Sequence, residues 1–74
     1  MPKYSTKIYL LQYLIDNYVD LTPITLREIG AAVKEPNDKN IYKLLEELKK
    51  EGRIVLLEPM NTEHGTEVIM QLGN

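Results

Sequence analysis

Apolar residues recur at three- and four-residue spacing in two stretches of this chain and at two-residue spacing in a third. In the first stretch Ile8, Leu11, Leu14, Ile15 and Tyr18 make one stripe. That stripe predicts an amphipathic helix from about Ser5 or Thr6 to about Tyr18. Either hydroxyl suits the first turn, where it can accept a hydrogen bond from a free backbone N–H. Tyr9 and Tyr13 lie on a flank of the stripe. Thr22-Pro23 then forces an extended break, because the residue before a proline is pushed out of helical conformation. In the second stretch Ile41, Leu44, Leu45 and Leu48 predict a helix from about Asp38 to Glu51. Gly52 stops it as a C-terminal cap, and Lys49, Lys50 and Arg53 suit the negative end of the helix dipole.

Between these two lies a short helix. Thr25-x-x-Glu28 is a capping box, in which the hydroxyl reaches the Glu28 N–H and the carboxylate reaches back. Ile24 and Ile29 stand where a hydrophobic staple closes. Gly30, Ala31, Ala32 and Val33 continue the helix, and their small side chains let another helix approach. Pro36 prevents continuation, and Asn37 or Asp38 caps the third helix. After that helix, Arg53 to Glu58 reads as a strand, Pro59 to Gly65 as a loop, and Thr66 to Leu72 as a second strand with Val68, Met70 and Leu72 facing inward. Pro23–Thr25 can add a short third strand at the sheet edge. Residues 1–74 are read as one α+β domain whose order, three helices and then a hairpin, is the layout of a winged helix.

The third helix carries the candidate chemistry. At about 100° per residue, the face opposite its leucines holds Lys39, Lys43, Glu46 and Lys50, with Tyr42 on one flank and Asn40 and Glu47 on the other. In a helix-turn-helix the second helix of the motif enters the major groove, and its N-terminal residues touch base edges. Here those are Asn37, Lys39, Asn40, Tyr42 and Lys43. Lysine can donate to guanine O6 and N7, and asparagine can pair with adenine N6 and N7. Thr25, Arg27, Lys34, Lys49, Lys50 and Arg53 are the candidate phosphate contacts. The plain alternative is a solvated helix face of mixed charge, with Lys43 and Glu47 as an intrahelical pair.

Composition changes this picture in two ways. Net charge is −2, and the charges are uneven: basic residues gather between residues 34 and 53, while residues 54–74 have three glutamates and no lysine or arginine. A strong DNA binder usually shows a clearer positive footprint. The acidic C-terminal third therefore keeps open a protein-contact module, an adaptor or subunit of a replication or transcription complex that does not itself bind DNA. The chain has five tyrosines and neither phenylalanine nor tryptophan. Tyrosine is favoured where one end is buried and the other wet, so a homodimer through the first helix, with Tyr9 and Tyr13 at the contact, is an expectation.

Other classes find no support. There are no cysteines, so neither disulfides nor thiolate metal sites contribute. The single histidine, His64, stands beside Glu63 with no converging ligands, so no metal, cofactor or catalytic site is expected. Glu46 and Glu47 are adjacent on a helix and point about 100° apart, so they cannot share a proton. The N-terminal stretch is interrupted by polar residues and lacks the features of a signal peptide, and no apolar run suffices to span a bilayer. A cytoplasmic protein without membrane contact is expected.

Residues 26–57 resemble the winged helix-turn-helix of bacterial repressors such as the LexA DNA-binding domain. The shared features are the Arg27-Glu28-Ile29 helix start, a turn of similar length, the Leu45-x-x-Leu48 core, and the Lys50-x-Gly52-x-Ile54 entry to the wing. The resemblance implies a small transcriptional regulator whose early third helix, Asn37 to Lys43, reads bases in double-stranded DNA. Two departures accompany it. With Asn74 as its last residue, no self-cleaving or dimerisation domain of the LexA kind is expected. The wing has no lysine or arginine, which leaves Asn61, Thr62 and His64 as its only polar contacts.

Overall fold

The chain runs α1 (Lys3–Asn17), β1 (Pro23–Thr25), α2 (Leu26–Val33), α3 (Asp38–Lys50), β2 (Ile54–Thr62) and β3 (Gly65–Leu72). A computed structural model describes residues 3–73, excepting the side chains of residues 3–5. The three strands make one antiparallel sheet in the order β1-β3-β2, so the short stretch at Pro23 does join the sheet edge. One apolar core unites Leu10 and Leu14 of α1, Leu26 and Ile29 of α2, Ile41, Leu45 and Leu48 of α3, and Ile54, Leu57, Val68 and Met70 of the sheet. No helix among the described residues is long and apolar enough to cross a membrane.

The first helix departs from its expected phase. Leu14 of the expected stripe is fully buried and Leu11 and Tyr18 pack against the core, but Leu10, from outside the stripe, is buried with them, and Ile8 and Ile15 are 58% and 59% exposed. The helix also begins at Lys3, so Ser5 and Thr6 lie inside it rather than at a cap, and its capping residue falls outside the described residues. At its other end the Tyr18 hydroxyl accepts from the Met70 N–H at 2.8 Å and donates to the Thr22 carbonyl. That phenol pins the end of α1 to the middle of the sheet, and it explains a half-buried tyrosine where a phenylalanine would leave both backbone groups with one partner fewer.

The second helix follows its local signals more closely. The Thr25 hydroxyl accepts from the Glu28 N–H at 3.0 Å, the first half of the capping box. Thr25 also belongs to β1, opposite Glu67, and among the described residues the return bond from Glu28 is not made. Ile24 packs against the core that contains Ile29. Lys34 ends the helix in left-handed conformation (φ 60°), while the Glu35 N–H donates to the Gly30 carbonyl at 2.8 Å. That stop folds the chain back over Gly30. A Cβ there would sit 2.4 Å from the Glu35 carbonyl oxygen, so the close approach is made by the turn, and Ala31 and Ala32 stay exposed.

The third helix is capped at both ends as its sequence predicts. Asn37 Oδ1 accepts from the Lys39 N–H at 2.9 Å. At the other end Gly52 adopts φ 82°, with Gly52 N–H donating to the Lys49 carbonyl and Arg53 N–H to the Leu48 carbonyl. This is the paired C-terminal closure that a left-handed glycine makes possible.

The hairpin is longer than expected. Pro59, Met60, Asn61 and Thr62 are strand, not loop, and stand opposite Val68, Glu67, Thr66 and Gly65. Proline is tolerated because β2 is an edge strand, where a missing N–H need not break a ladder on both sides. The connection shrinks to Glu63 and His64. Thr62 Oγ1 accepts from the His64 N–H and donates to the Gly65 carbonyl, and Gly65 takes φ 105°. A register shift between Ile54 and Leu56 turns Val55 out to solvent.

Candidate functional site

Burial of Ile41, Leu45 and Leu48 fixes the rotation of α3 and turns Lys39, Lys43, Glu46 and Lys50 outward. All four are exposed, and among the described residues no carboxylate lies within ion-pair distance of Lys39, Lys43 or Lys50. The ridge is bordered by the hairpin. Lys39, Tyr42, Lys43 and Glu46 share an open groove with Pro59, Asn61 and Thr66. Asn61 and Thr66 are cross-strand partners, and the Thr66 hydroxyl lies 3.2 Å from Asn61 Oδ1. The lengthened hairpin, which the sequence had not suggested, thus sets its inner face beside the helix. The signal for it was present in Thr62 to Gly65, where a two-residue turn puts Asn61 across from Thr66.

The five expected base contacts are divided by the fold. Lys39 and Lys43 stand on the ridge. Tyr42 is half-buried, with its ring packed on the core and one side lining the groove. Asn40 lies on the opposite flank, in a hollow with Thr6, Lys7, Glu35 and Glu47 that Lys43 also lines, so Lys43 borders both this hollow and the groove. Asn37 spends its carbonyl oxygen on the helix cap, which leaves its amide NH₂ as the free donor.

The expected phosphate contacts sit on two sides of the ridge. Lys49 and Lys50 border a hollow with Tyr42, Glu46 and Leu57, whereas Arg27 and Lys34 border one with Gly30 and Ala31 of α2 and Glu35 and Pro36 of the turn after it. Arg53 is exposed at the entry to β2, and Thr25 is half-buried with its hydroxyl engaged in the cap. Of the expected wing residues, Asn61 reaches the groove, Thr62 closes the turn, and His64 is exposed at the tip.

The intrahelical pair that the solvated-face alternative allowed between Lys43 and Glu47 is not made, and Glu47 has another partner. Lys7 of α1 lies 3.4 Å from Glu47 Oε1 and hydrogen-bonds the Glu51 carboxylate. The Glu51 hydrogen bond raises the Lys7 pKa above the ordinary lysine value, with partial burial acting against it and Glu47 adding to it. The two neighbouring glutamates of α3 therefore differ. Glu47 braces α1, whereas Glu46 stays on the ridge, beside a groove that Asp38 also lines.

Tyr9 and Tyr13 line a groove between α1 and the end of α2, with Ala32, Val33 and Lys34. Tyr9 is exposed, and Tyr13 is half-buried against the core. Among the described residues, no group of three His, Asp or Glu side chains is placed to hold a metal ion. Comparison with protein-family models, curated proteins and solved structures finds no match for the chain.

Proposed function

We propose that this chain is a winged helix that binds double-stranded DNA as a small transcriptional regulator, with α3 in the major groove and the β2–β3 hairpin as its wing. The observation that carries this reading is the α3 ridge. Three lysines stand on it, exposed and without carboxylate partners within ion-pair distance among the described residues, and Lys39 and Lys43 border a groove that Asn61, Thr66 and Pro59 of the hairpin line together with Leu26 and Asp38. A lysine held in a stable surface ion pair would have to give that partner up before meeting phosphate or a base edge. Lys39 and Lys43 supply charge and guanine contacts, Tyr42 and Asn61 face the groove between helix and wing, and Arg27, Lys34, Lys49, Lys50 and Arg53 reach the backbone from either side. Glu46 among the lysines favours a cytosine N4 donor and disfavours phosphate, so it trades affinity for selectivity. The wing tip carries Glu63 and no cation, so the wing contributes through Asn61 and Thr66 rather than through charge.

Titration of random duplex DNA at several salt concentrations tests the reading. Each neutralised phosphate adds about 0.9 to the slope of log K against log salt. The Lys39→Ala/Lys43→Ala double variant is expected to abolish binding near physiological salt with an unchanged circular dichroism spectrum. Affinity retained in that folded variant would remove α3 from the groove.

One observation favours a protein-contact module instead. The outer face of the sheet carries Leu56, Met60 and Ile69 with Glu58 and Glu67, and no lysine or arginine. In that case association is insensitive to salt, because an apolar interface releases no counterions.

A further inference from the structure

The sheet has one face on the core and one face open. On the open face the antiparallel register sets Glu58 opposite Ile69 and Met60 opposite Glu67, so carboxylates and aliphatic side chains alternate around a small block. Side chains on one face of a sheet recur at every second residue, which brings Leu56 of β2 and Thr25 of β1 onto the same face. Glu58 and Met60 are exposed, and Glu67 and Ile69 are half-buried. Among the described residues no lysine or arginine lies within ion-pair distance of Glu58 or Glu67. The α3 ridge is the converse. Lys39 and Lys43 are exposed cations one helical turn apart with no carboxylate between them, Asp38 preceding the pair and Glu46 following it.

We infer that the open sheet face of one copy docks the Lys39–Lys43 end of α3 from a second copy. Spacing and sign select that occupant. Diagonal neighbours across an antiparallel strand pair, as Glu58 and Glu67 are, stand about 7–8 Å apart, and somewhat less between Cβ atoms. Lysines four apart on a helix stand about 6 Å apart. Each ammonium therefore reaches one of the two carboxylates while its aliphatic stem lies on Met60 or Ile69, a mode of burial that suits lysine. The helix must come from another copy. Pro59, Asn61 and Thr66 on the inner face of the hairpin line the groove beside the chain's own ridge, so Glu58 and Glu67 point away from that ridge, on the far side of the same strands. The two surfaces joined are different, so the contact is head-to-tail and leaves one open ridge and one open face. Exposed ion pairs are weak and screened, so association is reversible and fades as salt rises. The consequence rests on the DNA reading: a docked ridge is closed to a duplex, so self-association and DNA binding exclude one another through Lys39 and Lys43. Neither Tyr9 nor Tyr13, the contact expected from the sequence, takes part.

Sedimentation equilibrium from about 10 μM to about 1 mM protein, in about 10 mM salt where the Debye length is about 30 Å, is the first measurement. The parent chain is expected to associate. Glu58→Gln/Glu67→Gln and Lys39→Ala/Lys43→Ala are each expected to be monomeric with native circular dichroism, since no replaced side chain belongs to the core. Mixing the two variants gives the decisive result. One keeps the ridge and the other keeps the face, so a 1:1 complex that grows no larger is expected. A parent chain monomeric at about 1 mM, either variant associating alone, or a mixture that stays monomeric would each overturn the inference. A duplex titration separates it from the DNA reading, because Glu58→Gln/Glu67→Gln is expected to bind duplex at least as tightly as the parent. Self-association without duplex binding would remove the DNA reading and keep the contact, and duplex binding by a chain monomeric at about 1 mM would do the reverse.

Discussion

The two long helices of this protein, α1 and α3, offer opposite lessons about amphipathic patterning. In α3 the apolar and charged residues are cleanly segregated, so only one rotation buries the leucines without burying a lysine. The helix adopts it: Ile41, Leu45 and Leu48 are buried and Lys39, Lys43 and Lys50 are exposed. In α1 apolar residues occur on nearly every side. A face centred between Leu11 and Ile15 and one centred between Leu10 and Leu14 are both workable cores that share Leu14, and the choice is made by what α1 packs against. Lys7, held by Glu47 of α3 and by Glu51 just past its end, and Tyr18, held by Met70 of β3, are the polar contacts that accompany the second rotation. Ile8 and Ile15, the residues that this rotation leaves out of the core, remain exposed on the surface.

The largest effects should come from substitutions that separate these two rotations. Leu10→Ala and Leu45→Ala remove fully buried side chains, and each is expected to cost about 2–5 kcal/mol in urea unfolding. Ile15→Ala should stay within about 0.5 kcal/mol. The reverse ranking of Leu10 and Ile15 would restore the expected stripe as the core. A middle-sized effect concerns the helix starts. Asn37→Ala takes the acceptor from the cap of α3 and should cost about 1 kcal/mol. Thr6→Ala, inside α1 rather than at its cap, should cost less than about 0.5 kcal/mol. A comparable loss at Thr6 would mean that α1 starts later than Lys3. The smallest effect is electrostatic. Because the folded state raises the Lys7 pKa, its contribution is fully present below the ordinary lysine value and fades as pH climbs through and beyond it. Lys7→Met should therefore give a slightly lower urea midpoint than the parent chain at neutral pH, a gap that narrows in strongly alkaline buffer and is flat between pH 6 and 8. A gap that instead changed across neutral pH would assign the coupling to another group.

The candidate site was legible to the extent that α3 was. Lys39 and Lys43 could be placed on an open ridge because their helix has one workable rotation. Asn37 was read twice, as a cap and as a base contact, and a single residue in a chain cannot show which use its side chain serves. Asn40 was read on the flank beside Glu47 and lies there, but that this flank faces α1 is decided by residues far away in sequence. The hairpin was underestimated because Pro59 resembles a strand terminator. Whether proline ends a strand depends on whether that strand is central or at an edge, and this is a property of the sheet.

Short-range chemistry in the chain was enough to specify the caps at Thr25 and Asn37, the left-handed stop at Gly52, the break at Pro23, the rotation of α3 and the inward residues of β3. Each depends on groups within a few positions of one another, or on a pattern with one low-energy solution. The face that α1 buries, the partner Glu47 takes, the persistence of β2 through Pro59 and the meeting of Asn61 with the α3 ridge were chosen later, by packing. Those outcomes compare alternatives nearly equal in local energy, and the difference between them comes from contacts made across the core and the sheet.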